Sequence, residues 1–185
     1  GYQSFPALIA APSCRNGFDP GRVVPGADFP CGPVLRSDLD GDFRKISLVD
    51  DTTIYCGAGA TLAALSKFAL KCGLTGLEFA WGIPGTVGGA VFMNAGAYGG
   101  EMKDVVKSVR IFYPGSGIRE LSGEEMEFGY RTSRLKRERG IVLGAEMELE
   151  PGDRQKITDR ITELAQKRMD KQPLEYASAG STFKR

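Results

Sequence analysis

From Phe43 onward the apolar and polar residues fall into regular periods, whereas residues 1–39, rich in proline, glycine and isolated charges, show neither a period of two nor one of 3.6 and read as coil. Lys45-Ile46-Ser47-Leu48-Val49 and Thr52-Thr53-Ile54-Tyr55-Cys56-Gly57 alternate on either side of Asp50-Asp51, which predicts a hairpin. Leu62, Leu65, Phe68, Ala69 and Cys72 then recur on one helical face. Thr61 is placed to cap that helix and Gly73 to stop it. Residues 105–113 predict a strand, turned by Pro114-Gly115-Ser116-Gly117 into a partner at 118–121. Ser122 with Glu125 has capping-box spacing and predicts a short helix start. Residues 141–150 predict another strand, with Val142, Ala145 and Met147 inward and acids outward. Asp153 opens a helix bearing Ile157, Ile161, Leu164, Ala165 and Met169 as far as Lys171, and Pro173 ends it. These elements predict an α+β fold. Its central mixed sheet spans residues 43–150, with the 61–72 helix packed upon it. The chain divides into an irregular segment at 1–40, a main unit at 41–152, and a helix with the start of a further domain at 153–185.

One stretch obeys neither period. Residues 73–101 hold nine glycines among apolar residues, with Thr86, Asn94 and Tyr98 as uncharged polar side chains late in the run. Glycine inside a helix costs roughly 1 kcal/mol relative to alanine. Such density therefore fits a backbone that takes positive φ or is closely approached. A natural reading is a turn at 82–89, with Pro84 fixing φ, followed by a helical turn at 90–94 whose free N–H groups attract an anion. The bare pattern is not specific. No GxxxxGK[ST] loop is present, and Gly57-Ala58-Gly59 and Gly115-Ser116-Gly117 lack the third glycine of a dinucleotide fingerprint. On the residues alone, a structural turn and a cofactor cradle both stay open.

Composition narrows the field. A length of 185 residues suffices for one sizeable core, and 42% hydrophobic with 25% charged residues describes an ordinary globular chain. A net charge of +1 supplies no basic stripe for nucleic acid. The densest basic cluster, Arg131, Arg134 and residues 136–139, reads as a solvated loop. Histidine is absent from the sequence, which excludes histidine metal sites and Ser-His or Cys-His nucleophilic pairs within it. Cys14, Cys31, Cys56 and Cys72 have no CxxC spacing. Cys56 and Cys72 lie in apolar surroundings, which predicts buried reduced thiols. No apolar run reaches spanning length and no basic start precedes an apolar stretch, so the expectation is a cytoplasmic protein with no membrane partner.

Three long motifs in order add a resemblance. Gly76-Leu77-Glu78-Phe79 with Gly82-Ile83-Pro84-Gly85-Thr86-Val87-Gly88-Gly89-Ala90 and Met93-Asn94-Ala95-Gly96-Ala97-Tyr98-Gly99 is the first. Phe128-Gly129-Tyr130-Arg131-Thr132-Ser133 is the second, and the third runs from Gln172-Pro173-Leu174-Glu175-Tyr176 through Ala179-Gly180-Ser181-Thr182-Phe183-Lys184. Together they resemble the UDP-N-acetylenolpyruvoylglucosamine reductases over roughly residues 41–185. The resemblance implies a bipartite FAD-binding fold of the PCMH/vanillyl-alcohol-oxidase-like type, in which 41–152 is a flavin subdomain and 153–185 the start of the substrate domain. It implies FAD and NADPH as cofactors and a UDP-sugar as substrate, in peptidoglycan synthesis. Cofactor contacts fall by carry-over on Gly82, Ile83, Pro84, Gly85, Thr86, Val87, Gly88, Gly89, Asn94, Ala95 and Gly96, and substrate contacts on Tyr98, Tyr130 and Lys184. Arg131 becomes the group that stabilises growing negative charge, and Ser181 the acid that protonates the substrate carbon. Without the resemblance, Tyr130-Arg131 reads as an incidental surface pair and Ser181 as a turn serine.

Two family features find no match here: a Gly-Ser-Asn phosphate loop within the first forty residues and a glutamate near the C-terminus. The expectation is that this polypeptide alone binds flavin weakly and turns over negligibly. Two other readings compete: a different FAD-dependent oxidase or dehydrogenase of the same fold, and a non-catalytic nucleotide-binding or assembly module.

Overall fold

The alternation on either side of Asp50-Asp51 becomes a hairpin of β1 (Ile46–Leu48) and β2 (Thr53–Gly57), with Ile46 opposite Cys56 and Leu48 opposite Ile54. The computed structural model describes residues 41–171. The Asp50 carboxylate closes the turn by accepting from the N–H groups of Thr52 (2.9 Å) and Thr53 (2.7 Å). Helix α1 (Leu62–Cys72) follows. Thr61 Oγ1 accepts from the Ala64 N–H at 3.1 Å, and Gly73 ends the helix at φ 74°. Its buried face is Leu62, Leu65, Ser66 and Ala69, while Phe68 and Cys72 are half-buried. Ser66 is the member that the apolar pattern misses. Its hydroxyl lies 2.9 Å from Leu62 O and 3.0 Å from Leu77 O, so it ties α1 to the start of the glycine-rich stretch.

That stretch contains β3 (Leu74–Thr75), helix α2 (Val87–Met93), and the two-residue strands β4 (Gly96–Ala97) and β5 (Gly100–Glu101). Beyond it come β6 (Val106–Tyr113), β7 (Gly117–Ser122), β8 (Ile141–Glu148), β9 (Glu150–Pro151) and α3 (Arg154–Lys171). The main sheet has the order β1-β2-β8-β6-β7, and each neighbouring pair is antiparallel. The expected mixed sheet is therefore corrected. β1-β2 and β6-β7 are hairpins, and β8 slots between them opposed to both β2 and β6, so no crossover leaves two neighbours parallel.

One face of this sheet supplies Ile54, Cys56, Val109, Ile111, Ala145 and Met147 to the core, where α1 and α2 bring Leu62, Leu65, Val87 and Val91. Burying this face supplies the main driving force for folding. On β8 the side chain of Tyr55 lies across Gly144, where a Cβ would sit 2.6 Å from its hydroxyl. The helix expected at Ser122 does not form. Both capping bonds are present, Glu125 N–H to Ser122 Oγ at 3.2 Å and Ser122 N–H to Glu125 Oε2 at 2.8 Å, but Glu127 at φ 48° turns the chain away within one turn. Helix α3 buries Ile157, Ile161 and Leu164 against α1 and the turn at Glu78–Ala80, and Met169 is left half exposed. Its predicted stop at Pro173 lies outside the described residues. No helix among the described residues is long and apolar enough to cross a membrane.

Burial of Cys56 under the sheet pushes its thiol up to about 12. The native protein at pH 8 is therefore expected to leave Cys56 unalkylated while the half-buried Cys72 reacts, as peptide mass mapping would read. Equal labelling of the two would contradict the core described here.

Candidate functional site

The glycine-rich stretch is sewn onto the loop that precedes α1. Leu62 N–H donates to Gly85 O (3.1 Å), Val87 N–H to Ala60 O (2.9 Å) and Gly88 N–H to Ala58 O (2.9 Å). Thr61 and Thr86 form an antiparallel bridge at the same place. Two features of the expected cradle change as a result. The helix begins at Val87 rather than Ala90, and two of its first-turn N–H donors are spent on carbonyls of the chain, so they are not free for an anion.

The glycines divide by what a side chain would meet. At Gly82 a Cβ would sit 2.6 Å from the Arg168 guanidinium, the flexible end of a long side chain, and at Gly88 it would sit 3.0 Å from the Ala58 methyl, so Gly88 serves internal packing. Gly85, at φ 143°, has nothing within 4 Å, and Gly89 has only Thr86 Oγ1 at 3.8 Å. Pro84, Gly85 and Gly89 are exposed, while Ile83 and Thr86 are half-buried and Val87 is buried. A face of nearly bare main chain thus lies open at Gly85 and Gly89, and Ala58 and Ala60 border it through the loop bonds. The glycines of the Gly57-Ala58-Gly59 triplet serve packing instead: a Cβ would collide with Asp42 O at Gly57 and would sit 3.1 Å from Phe43 O at Gly59.

Asn94 differs from its expected role. Its side chain is fully buried and points into the protein. Nδ2 donates to Glu101 Oε2 (2.5 Å) and Gly129 O (3.0 Å), and Oδ1 accepts from Lys103 N–H (2.9 Å). Both N–H donors of the amide are thus spent inside the protein, and its burial keeps the remaining oxygen lone pair from any cofactor at the surface. Ala95 is also bonded on both main-chain sides, to Ala90 O (2.8 Å) and from Met102 N–H (2.9 Å). Gly96 is crowded by Gly100 O, 2.6 Å from where its Cβ would lie, so its missing side chain serves the β4-β5 hairpin.

The loop that carries Tyr130 and Arg131 docks here. Arg131, at φ 53°, donates from Nη2 to Gly96 O (2.7 Å) and from Nη1 to Asn94 O (3.3 Å), with its guanidinium 5.3 Å from the centre of the half-exposed Tyr130 ring. Ser133 Oγ donates to Phe92 O at 2.7 Å. Tyr98, at φ 54°, meets a residue the sequence reading did not single out: Arg168 of α3 lies 5.6 Å from its ring centre. Two further arginines of the basic cluster are engaged by acids. Arg134 and then Tyr113 hold the Glu138 carboxyl below the usual carboxylate range, and Arg137 pairs with Glu127. Two cavities, of about 200 and 350 Å³, lie elsewhere, one between α3 and Trp81 and one beside Gly76 and Gly100; neither is lined by Gly85, Gly89 or Arg131. Among the described residues no group of acids and cysteines is placed to hold a metal. Ser181 and Lys184 lie outside the described residues.

A FAD binding domain family matches residues 34–122. The UDP-N-acetylenolpyruvoylglucosamine reductase of Clostridioides difficile (strain 630) is 54% identical over 137 residues, covering 74% of this chain and 45% of that protein. The reductase of the same name from Caldanaerobacter subterraneus subsp. tengcongensis is 52% identical over 138 residues, covering 75% and 46%. Among solved structures, the UDP-N-acetylenolpyruvylglucosamine reductase from Thermus caldophilus superposes with a TM-score of 0.64 at 37% identity, covering 71% of this chain and 47% of that one. The chain spans about half the length of the curated relatives it matches. Within that half, it is a relative of the UDP-N-acetylenolpyruvoylglucosamine reductases and carries their FAD-binding fold.

Proposed function

We propose that this chain carries the flavin-binding part of a cytoplasmic enzyme that reduces UDP-N-acetylglucosamine enolpyruvate to UDP-N-acetylmuramate with NADPH, in peptidoglycan synthesis. The observation that supports it most is the junction of open glycine backbone with the arginine loop, where Gly96 O accepts from Arg131 at 2.7 Å. The residues present fit FAD. The open main chain at Gly85 and Gly89 leaves room for a bulky diphosphate that a Cβ would narrow, and Gly82, Ile83, Pro84, Thr86, Val87, Gly88, Ala95 and Gly96 hold that surface in shape. When bound, FAD supplies the chemistry of accepting hydride from NADPH and passing it to the substrate.

The chain's own residues bind and stabilise. Arg131 keeps its charge at any working pH and presents it to the substrate carboxylate, where negative charge grows as the enolpyruvyl carbon is reduced. Tyr130 on the arginine loop and Tyr98 contact the UDP-sugar, as does Lys184. Ser181 donates the proton to the carbon beside the carboxylate; with no histidine in the chain, proton donation suits it better than nucleophilic attack. Thermal unfolding tests the reading. Both FAD and the enolpyruvyl UDP-sugar are expected to raise the midpoint, because each binds the folded state. A midpoint moved by neither would contradict it.

A further inference from the structure

Asn94 stands where three segments meet. It caps α2 at φ 44°, and its fully buried amide reaches the β4-β5 hairpin through Glu101, the following turn through Lys103 N–H, and the arginine loop through Gly129 O. The partners fix the orientation of the amide, because a carboxylate and a carbonyl need donors and an N–H needs an acceptor. Only a neutral amide satisfies all three; aspartate has no donor to offer, and a leucine offers nothing. The arginine loop is also held from its other end, since Arg131 donates to the carbonyl of Asn94 itself. A shift of Asn94 therefore displaces Arg131 through its guanidinium and through Gly129, two residues earlier in the chain.

We propose that Asn94 is a positioning residue that couples the cofactor-facing stretch to the arginine loop, so that the two respond as one body. The functional side of this rests on the reading of 82–96 as the flavin surface and of Arg131 as the substrate-facing charge. Its consequence is that FAD on the glycine surface stiffens 129–133 without touching it, the Asn94 amide carrying this coupling beside the Arg131 bonds to Gly96 O and Asn94 O and the Ser133 bond to Phe92 O.

Amide hydrogen exchange of the chain, with and without FAD, tests it. The reporters are the amides of Gly129 and Thr132, which bond each other's carbonyls at 3.1 and 3.2 Å. Asn94→Gly suits the backbone at this φ and removes only the side chain. It is expected to speed exchange at both reporters about tenfold, to leave β6 and β8 unchanged, and to reduce the protection that FAD confers on 129–133. Glu101→Gln keeps the bond to Gly129 and is expected to change the reporters little. Should Asn94→Gly raise exchange throughout the sheet, the isosteric Asn94→Asp takes its place, with the same local loosening expected. In the turning-over enzyme Asn94→Gly lowers kcat about tenfold with the KM for NADPH unchanged. Wild-type exchange at Gly129 and Thr132 in the Asn94 variants, or equal loosening by Glu101→Gln, would overturn the proposal. Failure of FAD to bind would instead sink the flavin reading, and the comparison without FAD would still decide the coupling.

Discussion

In the enzyme of which this chain is the flavin-binding part, Arg131→Ala is expected to lower kcat for reduction of the enolpyruvyl UDP-sugar by roughly 100- to 1,000-fold, the range seen when one preorganised donor to a developing charge is lost. The fall belongs in kcat rather than in KM if the guanidinium works harder as the charge grows. Lysine is expected to recover little. The guanidinium donates through two separate nitrogens to Gly96 O and Asn94 O, which holds it in one orientation, and a single ammonium on a flexible stem does not reproduce that fork. Steady-state NADPH oxidation gives the split. If Arg131→Ala left kcat intact while lowering the unfolding midpoint, the arginine would be a staple of the loop and no more.

The second large effect concerns stability without any cofactor. Asn94→Leu is expected to cost about 4 kcal/mol in chemical denaturation. It takes from Gly129 O one of its two donors, leaves the part-buried Lys103 N–H without its acceptor, takes a donor from Glu101, and puts a bulky side chain at φ 44° within the fully buried space of Asn94. A residue whose side chain merely touched flavin would show no such cost in the bare protein. Unfolding within a few tenths of a kcal/mol of wild type would return Asn94 to the cofactor surface.

Much of the architecture could be read from spacing. The helix at Leu62–Cys72, with Thr61 as cap and Gly73 as stop, follows from one apolar stripe and two end residues whose chemistry is local. The hairpins at Asp50-Asp51 and Pro114-Gly115 are local in the same sense. What spacing could not supply was non-local. β8 enters between two hairpins from far along the chain, so whether the sheet was mixed or antiparallel depended on a pairing that no local pattern encodes. The same limit applies to the site. A glycine reports that space is needed, not what fills it: Gly82 yields to Arg168 and Gly88 to Ala58, while Gly85 and Gly89 face open space. Asn94 looked outward because polar residues in a glycine-rich stretch invite a ligand, yet its partners Gly129 and Lys103 are brought to it by tertiary folding. Arg168, on a helix read as amphipathic, was invisible until α3 laid it against Tyr98.

Gly89→Val offers the cleanest probe of the glycine surface, because the position is exposed and a Cβ there meets only Thr86 Oγ1, at 3.8 Å. The decisive measurement is a titration of wild type and this variant with FAD, read by amide exchange across residues 82–97. The account predicts that FAD slows exchange around Gly85 and Gly89 in the wild type and that the valine weakens binding at least tenfold, about 1.4 kcal/mol. Undiminished binding by Gly89→Val, or a footprint that leaves this surface unprotected, would contradict it.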